Sequence, residues 1–262
     1  MGRHGDDAYA AEVPPGPRRR RRGAHAAPSR FPASWVLGVS LALVNVFLLG
    51  ADLIRLRAAR SGRPLGLFAD SRWAGSLDGS YSELAGHGVL LVAAVLLVLV
   101  WRERRAAVYG VWALVLGVIV ADDFLLLHER LGGMLVREFG LPAIAGLRPQ
   151  DLGELLVWAV PMAVLGAALL VAHLRARGLV RRHSWTLIAL MAALVGFAVV
   201  VDMAPFVLSP WLSAGMRTVL TRTETTGELG VMTLVLIAAH HMTRSRTAAA
   251  SGQPLPAAPP RD

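Results

Sequence analysis

The chain has 262 residues, of which 55% are hydrophobic and 17% charged, and its mean hydropathy is +0.51. Soluble domains carry about 25% charged residues, so this composition excludes an ordinary soluble fold. The net charge of +9 comes from Arg that lies in the tails and between apolar runs. That distribution is typical of membrane topology signals and argues against nucleic-acid binding. The absence of Cys excludes disulfides, thiolate metal sites and Cys nucleophiles.

Both ends of the sequence are polar. Residues 1–30 contain Pro, Gly and the run Arg18–Arg22, and residues 243–262 are rich in Ala and Pro. We predict that both tails are disordered and that the first lies against anionic lipid headgroups. The first apolar run is about 20 residues long, which exceeds the apolar region of a signal peptide, so we expect a retained helix. The Ala, Arg, Leu and Val bias without Lys is typical of a high-GC bacterial genome.

Six apolar runs of about 20 residues lie between the tails, long enough to cross a hydrocarbon core about 30 Å thick. The sixth is the weakest, because its apolar core is short and two Glu fall in its first turns. We therefore predict an all-α fold, an integral membrane bundle of six transmembrane helices within residues 31–242. The runs are Trp35–Ile54, Glu83–Trp101, Val108–Leu127, Leu152–Leu174, Trp185–Leu208 and Thr223–His241.

The distribution of Arg predicts the orientation of these helices. If the N-terminus is cytoplasmic, most of the 27 basic residues fall on the cytoplasmic side. The two short loops on that side are also the most densely basic, and short loops are where the positive-inside rule applies. We predict that both termini are cytoplasmic and that the protein is a multi-pass protein of the bacterial cytoplasmic membrane.

Carboxylates concentrate on the opposite, outer side. Each of the six runs carries an Asp or Glu within about two turns of that side. A charged residue near the centre of a span costs about 2.5–3.5 kcal/mol on insertion, so we expect these side chains to face the bundle. Acids that open a helix are also explained as caps or as dipole partners. Four residues flanked by apolar sequence on both sides favour a functional role instead: His87, Asp122, Asp123 and Asp202.

Carboxylates and imidazoles on facing helices are the side chains from which bundles build metal sites. We predict a divalent metal ion (iron, manganese or zinc) that activates a water towards a lipid or a small-molecule substrate. A zinc site would need about three protein ligands and an open position. The predicted ligands are His87, Asp122, Asp123, Glu154, Asp202 and Glu228, with His128 and Glu129 as second choices.

Helical phase tests this ligand set. At about 100° per residue, Asp122 and Glu129 share a face of one helix. Asp123 and His128 point about 100–120° away from that face, on opposite sides. The four side chains cannot all meet one ion on a straight helix. A break near Leu127 would bring His128 round; otherwise the segment serves two sites or packs partly for structure.

The segment Asp122-Asp123-Phe-Leu-Leu-Leu-His128-Glu129 is followed by Gly153-Glu154, Val201-Asp202-Met203 and Gly227-Glu228. This pattern resembles one found in uncharacterised bacterial polytopic membrane proteins, and the resemblance spans residues 35–241. It implies a multi-pass membrane protein and brings no activity to transfer. Alkaline ceramidases are intramembrane hydrolases whose zinc is held by several His. The sequence lacks their His-x-x-x-His pair, and we do not assign it to them.

Two other functions use the same acids. In a cation- or proton-coupled transporter they would bind the transported ion, but the inner halves of the predicted helices are almost purely apolar. In a non-catalytic membrane partner subunit the acids would only hold the bundle together. The remaining candidate histidines lie near the cytoplasmic boundary, where interfacial solvation explains them: His173, His183, His240 and His241.

Overall fold

A computed structural model of the protein describes residues 33–62, 66–77, 79–208 and 210–244. This part of the chain is helical and contains no β-strand, as predicted. The predicted tail over residues 1–30, nearly all of the tail over 243–262 and both termini lie outside the described residues. The helices are α1 (Ala33–Ser61), α2 (Tyr81–Arg104), α3 (Ala107–Leu125), α4 (Leu127–Phe139), α5 (Pro149–Arg175), α6 (Gly178–Val195), α7 (Asp202–Val207) and α8 (Ala214–Arg244).

Among the described residues, five segments are long and apolar enough to cross a membrane, and they correspond to the first five predicted runs. The sixth predicted run, Thr223–His241, lies within α8, which is not among the five. The N-terminal half of α8 carries Arg, Thr and Glu, so its hydropathy stays low. The five segments are Ser34–Ser61, Tyr81–Arg104, Ala107–Leu125, Pro149–Arg175 and Gly178–Val207.

Burial of its apolar side chains holds helix α8 against the other helices. It packs against α1, α2, α6 and α7, and its C-terminal half is apolar, with Val235 at 1% and Ala239 at 0% exposure. Gly86 permits the close approach of α2, because a Cβ there would lie 2.5 Å from the sulfur of Met232. The core around α8 is completed by α2 and α3, with Leu90, Leu97, Trp112 and Leu116.

The third predicted run is not one straight helix. It ends at Leu125, and α4 begins at Leu127, because Leu126 adopts a left-handed conformation with φ of 51°. This is the break near Leu127 that helical phase requires if His128 is to approach Asp122. No separate helix was predicted over Leu127–Phe139.

The antiparallel packing of α2 on α3 gives the bundle two different ends. We call the end where α2 begins and α3 terminates the acidic end. The other end is the arginine end, where α2 and α5 terminate and α3 and α6 begin. Its helix termini and connections carry Arg102, Arg104, Arg105, Arg175, Arg177, Arg181 and Arg182.

Candidate metal centre

The break at Leu126, between α3 and α4, positions the residues of the candidate metal centre. A left-handed conformation costs a residue with a Cβ about 1–2 kcal/mol, and such outliers cluster at functional sites. The N–H of Leu126 donates to the carbonyl of Asp123 at 3.3 Å and so closes the turn. The change of direction at Leu126 places His128, the second residue of α4, beside Asp122 near the end of α3.

Asp122 and His128 meet across this break. Asp122 is buried, and its Oδ2 lies 2.5 Å from Nδ1 of His128. Its Oδ1 accepts the backbone N–H of His128 at 3.1 Å. Helix α4 has no side-chain cap of its own, so the Asp122 carboxylate also satisfies an N–H at its positive end. The same carboxylate is thus a helix cap and a potential metal donor.

Asp123 faces α2. Its Oδ2 lies 2.7 Å from Nε2 of His87, which is only 3% exposed. The other ring nitrogen of His87 lies 3.9 Å from Oε1 of Glu83, one helical turn earlier. His87 therefore holds Asp123 in the way that outer-shell histidines and carboxylates hold metal ligands in place.

Three predicted ligands come together: Asp122, Asp123 and His128 each offer a donor atom, and these atoms lie within 4.8 Å of one another. Zinc binds nitrogen and oxygen ligands at about 2.0–2.2 Å, so two ligands of one ion lie about 3–4 Å apart. Small side-chain rotations close that difference. The side chains of Asp123 and His128 keep 28% and 20% exposure, so an ion can reach them from the acidic end.

Two further predicted ligands, Asp202 of α7 and Glu228 of α8, lie near this group on other helices. Glu228 of α8 lies within electrostatic range of four carboxylates, those of Glu83, Asp123, Asp202 and Glu224. Five carboxylates from α2, α3, α7 and α8 thus share one region of the acidic end. Like charges at such range repel, and a bound cation or bound protons relieve that repulsion.

A π-helical turn, Gly196–Val201, leads directly into Asp202. Its Phe197 ring packs so tightly on Gly227 that any Cβ at Gly227 would clash with the ring. Since Gly227 precedes Glu228, this contact brings the π turn against α8 beside Glu228. Single π turns inside helices are frequent at functional sites.

The predicted ligands Glu129 and Glu154 lie at the contact of α4 with α5, outside the three-donor group. The side-chain amide of Gln150 donates to the carbonyl of Glu129 at 2.9 Å and to Oε1 of Glu154 at 2.7 Å. The backbones touch beside them: a Cβ at Gly153 would lie 2.6 Å from the carbonyl oxygen of Gly132. The contact holds α4, and with it His128, against α5.

Two buried acids, Asp52 of α1 and Asp151 of α5, form ion pairs with Arg. Asp52 forms an ion pair with Arg222 of α8 and accepts the Gly75 N–H at 3.2 Å. Asp151 pairs with Arg148 at 2.6 Å and closes a capping box at the start of α5. Both carboxylates are buried. Asp151 has the structural role expected of an acid that opens a helix, and Asp52 joins α1 to α8. The i, i+3 spacing of Arg148 and Asp151 is the signal that predicts the second pair.

The arginine end holds a buried polar network, and here the prediction of interfacial solvation is wrong for two histidines. His173 and His183 are 4% and 7% exposed. His173 Nδ1 lies 2.9 Å from the Ser184 hydroxyl, which also accepts from the Trp112 indole at 3.3 Å. His183 Nδ1 lies 2.8 Å from the Tyr109 hydroxyl. The helices therefore bury polar side chains at the arginine end as well.

A family model described as "Domain of unknown function (DUF8692)" matches residues 36–243, which covers the helical part of the chain almost completely. Neither the curated proteins nor the solved structures contain a significant match.

Proposed function

We propose that this chain, which belongs to the family described as Domain of unknown function (DUF8692), binds a divalent metal ion at its acidic end. The observation that carries the proposal is the group of Asp122, Asp123 and His128, whose donor atoms lie within 4.8 Å of one another. The left-handed Leu126 and the His87 contact support it, because both hold this group in place. Metal ligands are commonly positioned by such outer hydrogen bonds.

The same proposal places the chain in the bacterial cytoplasmic membrane with six spans and both termini inside. Helix α8 has 31 residues, and a span needs about 20. Its C-terminal half is buried among other helices and has little contact with lipid. A span in that position can be less apolar than the five other predicted spans. The arginine end then faces the cytoplasm, in agreement with the positive-inside rule.

Two carboxylates and one imidazole are a donor set suited to iron, manganese or zinc. Three protein ligands leave a coordination position for water, whose pKa a metal lowers. The partial exposure of Asp123 and His128 admits a substrate from the outer side. We therefore extend the proposal to metal-assisted chemistry on a lipid or small molecule of the outer leaflet.

Cation or proton transport is the second candidate, and the buried network at the arginine end favours it. His173, His183 and Tyr109 supply polar groups on the side opposite the acids. An apolar layer separates the two ends, however, with Leu90, Leu97 and Leu116 at most 1% exposed. An ion crossing the bundle would need a path through this layer.

Metal analysis of the detergent-purified protein tests the leading proposal. We expect about one equivalent of iron, manganese or zinc. Affinity should fall by more than about 100-fold in Asp122→Asn/Asp123→Asn, since replacing only a hydrogen-bonding partner of a metal ligand costs about 10–100-fold. The Asn side chains keep an acceptor for the His128 N–H, so the helix cap survives. Glu138→Gln, which removes an exposed carboxylate of α4, is the control and should keep the metal.

Circular dichroism and gel filtration establish that each variant is folded. A folded wild-type protein that is metal-free and takes up none of the three ions after chelation and reloading would contradict the proposal. Ion-flux measurements in proteoliposomes then decide the second candidate. Flux that stops in Asp122→Asn/Asp123→Asn would support transport, and absence of flux would exclude it.

A further inference from the structure

A groove lies at the arginine end between α3, α5 and α6. It encloses about 650 Å³, within the range of about 300–1,000 Å³ that is usual for ligand pockets. Its walls are apolar and mostly small, so nothing in them would bind a polar solute. The wall residues include Val108, Val111, Ala167, Ala168, Val171 and Val180.

Two guanidinium groups stand at the mouth of this groove. Arg105 follows the last residue of α2, and Arg175 is the last residue of α5. Both are exposed, and no carboxylate among the described residues forms an ion pair with either. Helix α3 begins beside them without a side-chain cap, which adds partial positive charge to the mouth. The groove thus combines an apolar floor with a cationic rim.

The length of the groove matches one leaflet of a bilayer. Its lining on α5 runs from Ala167 to Arg175, where the helix ends, which is about 12 Å at 1.5 Å per residue. One leaflet contributes about 15 Å of hydrocarbon. Ala168 and Val171 are exposed within the membrane-spanning part of α5, so the groove opens towards lipid.

We propose that this groove binds one anionic phospholipid from the leaflet at the arginine end. The phosphate lies between Arg105 and Arg175, and one acyl chain runs along Ala168 and Val171 of α5. Guanidinium groups bind phosphate through paired N–H bonds, which gives the headgroup a fixed place. The site lies at the opposite end of the bundle from the metal centre and does not depend on it.

Native mass spectrometry of the detergent-solubilised full chain tests this. The titrants are phosphatidylglycerol and phosphatidylcholine with identical acyl chains. The wild type is expected to bind one phosphatidylglycerol more tightly than phosphatidylcholine. Arg105→Gln/Arg175→Gln should weaken phosphatidylglycerol binding about tenfold or more, because two cations near the membrane surface are lost. Arg181→Gln/Arg182→Gln removes the same charge from the same end outside the groove and should bind as the wild type does.

A second variant tests whether an acyl chain lies in the apolar groove. Ala168→Phe fills the groove and leaves both guanidinium groups in place, so it should also weaken phosphatidylglycerol binding. Gel filtration and circular dichroism confirm folding and report the oligomeric state. Equal binding of the two lipids, or wild-type binding by folded Arg105→Gln/Arg175→Gln, would overturn the proposal. A change of oligomeric state in Ala168→Phe with unchanged lipid binding would also overturn it, and would show a contact between copies of the chain.

Discussion

Both ends of the bundle bury polar side chains, but they satisfy them differently. At the arginine end the buried partners are hydroxyls and rings: Tyr109 meets His183, and Ser184 meets His173. Each of these contacts is a hydrogen bond within the protein, while Nε2 of His173 has no partner among the described residues. At the acidic end, Glu228 has four other carboxylates within electrostatic range. Carboxylates do not satisfy one another unless a cation or protons join them.

The ion pairs at the acidic end sharpen this contrast. Arg222 and Arg148 neutralise Asp52 and Asp151, on α1 and α5. The carboxylates that gather around Glu228 belong instead to α2, α3, α7 and α8. The protein therefore gives Asp52 and Asp151 guanidinium partners. It concentrates acids beside the helix break, where two histidines and two carboxylates meet. We expect the buried polar network of the arginine end to serve stability and the carboxylates of the acidic end to serve metal binding.

The largest expected effect comes from the scaffold of the acidic end. In Gly153→Ala the new Cβ would lie 2.6 Å from the backbone carbonyl of Gly132, and a backbone neighbour cannot rotate away. We expect a loss of about 3 kcal/mol in unfolding free energy, at the upper end for overpacking. Because α4 carries His128, metal affinity should fall as well. Denaturant unfolding in detergent and metal titration measure the two effects.

Gly166→Ala is the matched control on the same helix. A Cβ at Gly166 has no neighbour within 4 Å, and Ala is the better helix former. Stability should be unchanged or slightly higher, and metal affinity should equal that of the wild type. Equal behaviour of the two variants would show that the contact of α4 with α5 does not position the centre.

A smaller loss is expected at the arginine end. Ser184→Ala leaves the Trp112 indole and the buried His173 ring without their shared partner. Orphaned buried polar groups cost about 1–3 kcal/mol, so we expect a loss of about 2 kcal/mol. Metal affinity should not change. Thr186→Val on the same helix removes a hydroxyl that bonds only to the carbonyl of Arg182 and should cost less. Loss of metal in Ser184→Ala would break the division of roles between the two ends.

Much of the fold was predictable because a membrane imposes a length. A run of about 20 apolar residues is required to cross the hydrocarbon core, and the part of the chain that the structure describes contains five such helices. The break at Leu126 was predictable only as an alternative. Leu has no preference for a left-handed conformation, so nothing local in the sequence marks that residue. What pointed to a break was the phase mismatch between Asp122 and His128.

The candidate site was predictable in its residue types and less so in its contacts. Asp122 and Asp123 stand out because apolar sequence flanks them, whereas His128, which Glu129 follows, is predicted only as a second choice. The contact of Gln150 with Glu154 depends on how closely two glycine backbones approach, which sequence spacing does not reveal. Burial of His173 depends on which side of a span faces the bundle. A span that is apolar on every side carries little information about that.

The smallest expected effect concerns His87, which lies outside the three-donor group and contacts Asp123 at 2.7 Å. Replacing an outer partner of a metal ligand costs about 10–100-fold in affinity, and we expect about tenfold for His87→Leu, which has no hydrogen-bonding group. His87→Gln keeps an N–H donor for Asp123 and should recover part of the loss. Metal titration of the two folded variants, beside wild type, measures the difference. If His87 were itself a ligand, His87→Gln and His87→Leu would lose metal alike. If the acidic end were merely structural, both would change stability and neither would change metal binding.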